Sequence, residues 1–360
     1  MLTAQEIYSK TMTFNWMKLM LGGATLLLSL ILFAICAFFV WIFNGFENGF
    51  VFLIAFSIWL SGTKAINFLL MQYFGYFVKA GHVAIIAKAV TEGVVPDDQF
   101  NVAKNLVTER FGTSNIYFLV DKLVDKAVHD IGRTFDNVTG FIGLDRIPGF
   151  EQIQKLVKFF LHIALGYVDE CCLGWTFCKM DQSPFKSAAD GVVIYFQNWK
   201  ILLKGAAKTA LIVIGASICL TIASLMFFGL VFKIIGLGGM GTLFVIGFAL
   251  MTAWIFKVAF IDSWILVSMM TTYMQVAPTT ELKVDIYEQL CRLSAKFQEL
   301  FQKGQAEAAP SEPAPAAASD DSSALPPLCV TEKRRDSISF LSQHPEEEKI
   351  YSSNFIITKI

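Results

Sequence analysis

The chain has 360 residues, of which 55% are hydrophobic and only 16% are charged. Its mean hydropathy is +0.55, which lies outside the usual balance of a soluble globular domain. The formal net charge is -1, and no basic stripe interleaved with aromatic residues occurs, which argues against a nucleic-acid partner. The composition predicts an all-α, polytopic helical membrane protein whose main partner is the lipid bilayer.

Sequence motifs for catalysis, cofactors and metal ions are absent. The glycine-rich run 236–241 follows no predicted strand and lacks the lysine of a phosphate-binding loop. No metalloprotease, hydrolase or kinase signature occurs. Cys171, Cys172 and Cys178 cluster, but adjacent cysteines cannot both face one site from a helix, and no C-x-x-C pair occurs elsewhere. We therefore expect no enzyme activity, no cofactor and no metal site.

The first two spans are predicted within residues 19–74, after a short cytosolic N-terminus at 1–18. No charged residue occurs in 19–46, a run longer than the roughly 20 residues that cross a bilayer. A signal peptide would have a small-residue cleavage site after its apolar run, but here turn residues follow instead. We therefore expect that the first span is not cleaved. The second span begins near Phe50 and contains Lys64.

Residues 75–182 are predicted to form a cytosolic or interfacial helical insertion. An amphipathic helix is expected at 115–135, and a further helix from Pro148 to about Cys178. If the further helix crossed the membrane, the lysine-rich connection after it would face outward, against the positive-inside rule. We therefore expect that it does not cross, which gives four spans with both termini in the cytosol.

The second transmembrane hairpin is predicted at 209–276, preceded by an interfacial amphipathic helix at 183–208. The hairpin joins two apolar runs, 209–232 and 242–256, through the glycine-rich turn. The first run alone is long enough to cross a hydrocarbon core of about 30 Å. Because the turn is short, we expect the two helices to be adjacent and antiparallel.

Two C-terminal segments offer surfaces for partners. Residues 279–303 are predicted to form a cytosolic amphipathic helix, which packs either onto the protein's own helices or against a coiled-coil partner. Residues 304–360 are rich in Ala, Pro, Ser and Glu and are expected to be disordered. The chain ends in Thr358-Lys359-Ile360, the form of C-terminus that a PDZ groove binds. Both segments are candidate binding regions for cytosolic proteins.

An intramembrane polar site is the main functional candidate, because ionisable side chains inside a bilayer usually pair or line a polar path. Its members lie in the second and fourth spans: Ser61, Thr63, Lys64, Asn67, Lys257 and Asp262. Helix rise places Asp262 about 9 Å deeper than Lys64, a gap that a lysine side chain covers in large part. A pair between Lys257 and Asp262 is disfavoured, because five residues turn an α-helix by about 140°. Alternatively, Lys64 and Lys257 end short spans and reach the interface.

Weaker candidates lie in the predicted insertion: His162, Asp169 and Glu170. We expect Asp169 and Glu170 at the membrane surface. A short pattern also recurs about every ninety residues. Residues 75–79, 166–169 and 259–262 share an order of small, aromatic, β-branched and charged side chains. Internal repeats build many transporters, although echoes this short also arise by chance in an apolar chain.

Two functions from different classes follow. The first is a small-solute transporter or channel subunit with a polar path between the second and fourth spans. Four spans rarely enclose a path alone, so this function implies a homo-oligomer. The second is a membrane-embedded scaffold or adaptor that recruits cytosolic partners through its helical insertion and C-terminal tail. Transport requires Lys64 and Asp262 to be shielded from lipid and reached by water, whereas a scaffold leaves them peripheral.

Overall fold

The computed structural model describes residues 2–43, 49–112, 114–137, 165–235 and 241–308. Within these ranges the chain is helical and contains no strand, which confirms the all-α prediction. The α-helices of this part of the chain are α1 Ala4–Lys10, α2 Met12–Ile42, α3 Gly49–Leu70, α4 Tyr76–Glu92, α5 Gln99–Phe111, α6 Ser114–Asn137, α7 Val168–Cys178, α8 Pro184–Gln197, α9 Trp199–Ile235, α10 Gly241–Phe256, α11 Asp262–Val276, α12 Val284–Leu293 and α13 Ala295–Ala308. Two π-helical turns, Met71–Gly75 and Lys257–Ile261, connect α3 to α4 and α10 to α11.

Four helical stretches are long and apolar enough to cross a membrane: Met12–Ile42, Gly49–Leu70, Ile212–Ile234 and Thr242–Thr279. They belong to two helical hairpins, α2–α3 and α9–α10. Between 11% and 33% of the most apolar window of each stretch is buried within the protein, so most of its side chains point outward, where lipid would lie. The chain is therefore that of an integral membrane protein.

The end of α2, the start of α3, the end of α9 and the start of α10 lie at the same end of the four spans, which we call the turn end. Val40 near the end of α2 and Phe52 near the start of α3 belong to one buried cluster. Phe232 near the end of α9 and Phe244 near the start of α10 belong to the same cluster. The two hairpins therefore point in the same direction and pack side by side.

Helices α2 and α9 are longer than a bilayer requires. With 37 residues at about 1.5 Å each, α9 measures roughly 55 Å, against a hydrocarbon core of about 30 Å. At the end of the spans opposite the turn end, α2 and α9 extend beyond the length that a bilayer requires. There they pack with α1, α4–α8 and α11–α13 in a helical bundle, and we call this end the bundle end. Helix α11 lies in its interior, where Val267, Met270 and Tyr273 are fully buried and the Tyr273 hydroxyl donates to the Gly191 carbonyl (3.1 Å).

The helix of the second span does not stop at residue 74, where the first pair of spans was predicted to end. It passes through the π turn Met71–Gly75 into α4 and ends at Glu92, where Gly93 adopts a left-handed conformation (φ 73°). Apolar character falls after residue 74, but no proline interrupts the backbone hydrogen bonds, so the helix continues into the bundle. In the same way, the π turn Lys257–Ile261 leads the fourth span directly into α11.

Other predicted boundaries move by a few residues or fall outside the described chain. The helix expected at 115–135 is α6, Ser114–Asn137. A further helix was expected from Pro148 to about Cys178. Its residues up to 164 lie outside the described chain, and its C-terminal part corresponds to α7. The predicted tail begins too early, because α13 continues to Ala308 with Gly304 packed against the backbone of α8; residues 309–360 lie outside the described chain.

Helices α12 and α13 pack onto the protein's own bundle. Their apolar side chains Leu290, Phe297 and Leu300 are buried. The Tyr287 hydroxyl donates to the carboxylate of Asp190 in α8, which is itself buried. Intramolecular packing thus occupies one side of α12 and leaves its other side, with Val284 and Leu293, exposed.

Candidate functional site at the bundle end of the spans

The residues of the predicted polar path do not converge between the spans. Lys64 and Ser61 are exposed on the outer face of α3. Thr63 faces α2 and shares a hydrogen bond with the Ser29 hydroxyl (2.8 Å). Asn67 is half-buried, and its side-chain oxygen has no hydrogen-bond partner among the described residues. The structure separates these polar groups instead of gathering them around one path.

Asp262 binds Lys257 and not Lys64. The Lys257 ammonium donates to both carboxylate oxygens of Asp262, at 3.0 and 3.2 Å. A π-helix closes its hydrogen bonds between residues five apart, so the turn Lys257–Ile261 brings the two side chains onto one face. The sequence prediction disfavoured this pair, and it is wrong because it assumed α-helical geometry. The predicted contact between Lys64 and Asp262 is not formed in the described part of the chain.

A charged cluster joins three helices of the bundle near the spans. The Lys79 ammonium of α4 lies 3.2 Å from a carboxylate oxygen of Asp121 in α6. It also lies 2.9 Å from Asp169 and 3.3 Å from Glu170, both in α7. These four residues, the Lys79 cluster, bring together positions that are 42 and 90 residues apart in sequence.

The Lys79 cluster is largely shielded from solvent. The side chains of Asp169 and Glu170 are each 9% exposed, that of Asp121 is 15% exposed and that of Lys79 is 28% exposed. Burial by itself would lower the pKa of Lys79, but the three carboxylates outweigh it and hold this pKa well above its usual value. Asp169 and Glu170, expected at the membrane surface, instead face the protein interior, because Lys79 balances their charge. His162 lies outside the described residues.

A second polar chain runs beside the cluster and contains a fully buried histidine. His82 of α4 stacks on Phe14 with the ring centres 5.1 Å apart. The Thr11 hydroxyl donates to a backbone carbonyl of α1, so it accepts from His82 Nε2 (3.2 Å). His82 Nδ1 then accepts from the Lys18 ammonium (3.2 Å), which also donates to the Ser263 hydroxyl of α11 (2.8 Å). We call Thr11, His82, Lys18 and Ser263 the Lys18 chain.

His82 makes the stability of the protein depend on pH. Burial, and then the adjacent Lys18 charge, hold the pKa of His82 well below its usual value. Because the folded-state pKa is depressed, the contribution of neutral His82 to stability is present above about pH 6.5 and is lost as pH falls below it. We expect the thermal unfolding midpoint of the purified protein to decline between about pH 7.5 and 5. His82→Gln should flatten this decline, because glutamine offers a donor and an acceptor without titrating.

His129→Gln is the matched control, because His129 is exposed on α6. This variant should keep the pH profile of the parent protein. An undiminished decline in His82→Gln would show that another group is responsible for the acid sensitivity.

Tyr167 links the Lys257–Asp262 pair to the Lys79 cluster. Its hydroxyl hydrogen-bonds to Asp262, and its pKa is raised well above the usual value, first by burial and then by the negative charge of Asp262. Glu170 and Asp169 of the Lys79 cluster raise this pKa further. The Lys79 cluster, the Lys18 chain, Tyr167 and the Lys257–Asp262 pair form one charged network, which holds three lysines against four carboxylates.

The pattern that recurs at 75–79, 166–169 and 259–262 ends in this network. Its charged residues are Lys79, Asp169 and Asp262, and the first two bind each other at 2.9 Å. Asp262 joins them through Tyr167. The convergence is expected of duplicated segments, and equally of unrelated helices whose apolar runs end at one polar boundary.

The charged network lies where the spans leave the hydrocarbon. Lys18 is about 36 Å along α2 from Ile42 at the turn end, slightly more than a hydrocarbon core of about 30 Å. Among the described residues, no group of three or more His, Cys, Asp or Glu side chains is arranged to hold a metal ion. The network fixes α2, α4, α6, α7 and α11 to one another at the membrane boundary.

Aromatic side chains fill the interior of the spans toward the turn end. Trp59 is 1% exposed, and its ring centre lies 5.0 Å from that of Phe244 and 4.8 Å from that of Phe248. Phe33 of α2 lies 4.7 Å from Phe244. The Trp59 indole donates to the Ser29 hydroxyl (3.0 Å), so even the polar atom of this ring is bonded internally. The aromatic cluster occupies the space in which a polar path would run.

A large groove lies on the bundle, outside the spans, with a volume of about 1130 Å³. It is bounded by the junction of α8 and α9, the segment 276–283 and α12, and we call it the α12 groove. Its apolar lining consists of Phe196, Trp199, Ile201, Val276, Ile286, Leu290 and Leu293. Its charged lining consists of Lys200, Lys283, Arg292 and Glu281.

Lys18, Lys79, His82 and Asp121 were not identified as site residues from the sequence. One signal was present: Lys79 is the charged end of the recurring pattern whose other two ends were site candidates. Asp121 falls on the polar side of the amphipathic pattern of α6, and this pattern does not distinguish a solvated carboxylate from a buried, ion-paired one.

Comparisons of the chain with protein-family models, with curated proteins and with solved structures found no match.

Proposed function

We propose that this protein is a membrane-anchored scaffold that binds a protein partner through its helical bundle. The main support is that aromatic side chains fill the interior of the spans, whereas the α12 groove is open on the bundle. Of the two residues that distinguish transport from scaffolding, Lys64 is exposed on the outer face of α3. Asp262 is ion-paired with Lys257, and its side chain is 26% exposed. The exposed position of Lys64 favours the scaffold.

The α12 groove has the character of a protein-binding surface. Its volume of about 1130 Å³ exceeds that of most small-molecule pockets, and apolar side chains form much of its lining. Three of its four charged residues are basic, and Arg292 makes only a long contact with Glu288 (3.6 Å). The side-chain oxygen of Gln197 in the groove has no hydrogen-bond partner among the described residues. This combination suits an amphipathic helix with an acidic polar face.

The bundle is assigned to the cytosol in this proposal. Lys200 and Lys204 are exposed on the part of α9 that precedes its apolar stretch, and Lys257 directly follows the end of α10. On the turn side, Lys233 is the basic residue near the end of α9. Basic residues near the ends of spans favour the cytosolic side, so this distribution supports cytosolic termini.

A transporter or channel subunit is the second candidate. The observation in its favour is that Lys257 and Asp262, with side chains 29% and 26% exposed, lie within the fourth apolar stretch. Water that reached this pair from both sides of the membrane would support transport. Labelling of Asp262→Cys from the turn side, in a background without other cysteines, tests that access directly.

Site-specific photo-crosslinking tests the scaffold. A photoreactive amino acid in place of Leu293, which lines the α12 groove and is 37% exposed, should give one discrete adduct in native membranes. The same amino acid in place of Phe100, which is 54% exposed on α5, should not give it. Lys283→Glu should reduce the Leu293 adduct several-fold, because it reverses a charge that lines the groove.

The adduct must also disappear with Ile286→Asp while the thermal midpoint of the protein stays within about 2 °C of the parent value. An adduct that survives both groove variants would contradict a specific docking surface. Turn-side labelling of position 262 would then favour transport.

A further inference from the structure

The outer face of α3 carries a shallow groove that the packing of the spans does not use. Its volume is about 610 Å³, and its lining residues are Phe50, Leu53, Ile54, Ser57, Ile58, Ser61 and Gly62. Leu53, Ile54 and Ile58 are 55%, 45% and 54% exposed, so the groove opens toward lipid. We call it the α3 groove.

Small polar side chains lie along this groove. The Ser57 hydroxyl donates to the Leu53 carbonyl (2.8 Å) within the helix. The exposed Ser61 hydroxyl makes no hydrogen bond with any residue that the structure describes. Acyl chains offer no hydrogen-bond partner to a hydroxyl group, whereas a second helix that packs closely against small residues can provide one. This part of α3 is therefore better suited to contact with another helix than with acyl chains.

Lys64 continues the same face toward the bundle end. Seven residues separate it from Ser57, which brings the two side chains within about 20° around an α-helix. The Lys64 side chain is exposed and forms no ion pair within the described chain. It lies about 22 Å along α3 from Gly49, within a hydrocarbon core of about 30 Å. An unpaired ammonium group at this depth is unfavourable.

The helix geometry makes it harder for Lys64 to leave the hydrocarbon. Side chains of an α-helix lean toward its N-terminus, which for α3 is the turn end. The nearer membrane boundary is at the bundle end, so Lys64 must reach against this direction to meet headgroups. The Cα–Cβ bond of Lys64 instead directs the side chain toward Ser61 and the α3 groove.

The described spans of this chain do not supply a carboxylate for Lys64. Asp262 is the acidic residue among the four apolar stretches, and it binds Lys257. A second copy that used the same face in a two-fold contact would place Lys64 against Lys64. Charge complementarity therefore favours a different protein.

We infer that the α3 groove and Lys64 form a docking site for a membrane protein whose span carries an Asp or Glu side chain. Ser57 and Ser61 are small enough to let the two helix backbones approach, and the carboxylate neutralises Lys64 at its own depth. This interaction goes beyond the proposed scaffold, because it recruits a partner within the membrane and does not involve the α12 groove.

A designed transmembrane peptide provides the probe. It is a Leu/Ala helix of about 23 residues with one Glu at the depth of Lys64, and a matched peptide carries Gln instead. Energy transfer between labelled peptide and labelled protein is measured in phosphatidylcholine proteoliposomes. We expect the Glu peptide to associate about tenfold more strongly than the Gln peptide, which corresponds to about 1.4 kcal/mol.

The variants assign this preference to the site. Lys64→Met should remove the preference for Glu, whereas Lys233→Met, which removes an exposed lysine at the turn end of α9, should preserve it. Lys64→Glu should shift the preference to a peptide that carries Lys. Ser61→Phe should weaken both peptides, because it fills the groove.

Three results would overturn the inference. The first is equal association of the Glu and Gln peptides. The second is loss of the preference when phosphatidylglycerol is included in the vesicles, which would assign Lys64 to lipid headgroups. The third is Lys64-dependent energy transfer between two labelled copies of this protein, which would assign the face to self-association. Because none of these measurements involves the α12 groove, they do not decide the proposed scaffold function.

Discussion

Lys79→Met should lower the free energy of unfolding by about 3–5 kcal/mol. The expected observation is that the variant loses its monodisperse form in detergent at a clearly lower temperature than the parent protein. The substitution leaves Asp121, Asp169 and Glu170 close together without the cation that lies 2.9 to 3.3 Å from each of them. Removing one partner of a buried ion pair exposes the full penalty of burying the remaining charge. Here three carboxylates lose the same lysine, so their mutual repulsion adds to that penalty.

The matched control for this prediction is Lys88→Met. Lys88 lies on the same helix, α4, and pairs with Glu92, whose side chain is 55% exposed. A solvent-exposed pair of this kind contributes at most about 0.5 kcal/mol, so this variant should unfold almost as the parent does.

Two further variants keep the prediction testable if Lys79→Met fails to fold. Asp121→Asn removes one negative charge and leaves Lys79 bound to α7, so it should cost much less. Lys79→Arg keeps the cation and should recover most of the stability. Equal effects of Lys79→Met and Lys88→Met would mean that the Lys79 cluster does not hold the helices together.

Gly247→Leu should destabilise the membrane part by at least about 2 kcal/mol. A Cβ atom at Gly247 would lie 2.4 Å from Cη2 of Trp59, far inside van der Waals contact. The Trp59 ring cannot move aside easily, because it packs between Phe244 and Phe248 and its indole is bonded to Ser29. The added side chain must therefore separate α3 from α10.

Gly229→Leu provides the control for this substitution. Gly229 lies on α9, within another span, and a Cβ atom there meets nothing within 4 Å. This variant should be neutral or slightly stabilising, because leucine favours a helix more than glycine does. A similar loss of heat resistance in both variants would show that general effects on insertion, and not contact with Trp59, explain the result.

The positions of the spans were predictable because length and apolar character are properties of continuous sequence. The runs 19–46 and 209–232 carry no charged residue; α2 covers the first run as far as Ile42, and α9 covers the whole of the second. Where the helices end was harder to predict. A fall in hydropathy after residue 74 marks the end of contact with lipid, but the backbone continues to Glu92 because nothing in the sequence breaks it.

The charged network could not be read from the sequence, because its contacts depend on how distant helices pack. Lys79 and Asp169 are 90 residues apart, and Lys18 and Ser263 are 245 apart. The pair between Lys257 and Asp262 could be considered from the sequence, because the two residues are five apart, but the assumption of α-helical spacing disfavoured it. A π turn adds one residue to a helical turn without leaving a compositional mark, so the pair became apparent only from the structure.

The length of α9 ties the bilayer to the shape of the bundle. This helix is a continuous rod of roughly 55 Å, which runs from Lys233 near the turn end to Trp199 and Lys200 in the wall of the α12 groove. A change of about 5° in its tilt, pivoting at the turn end, moves the far end by roughly 5 Å. Spans tilt in response to bilayer thickness, so we expect the width of this groove outside the membrane to change with the thickness of the surrounding bilayer.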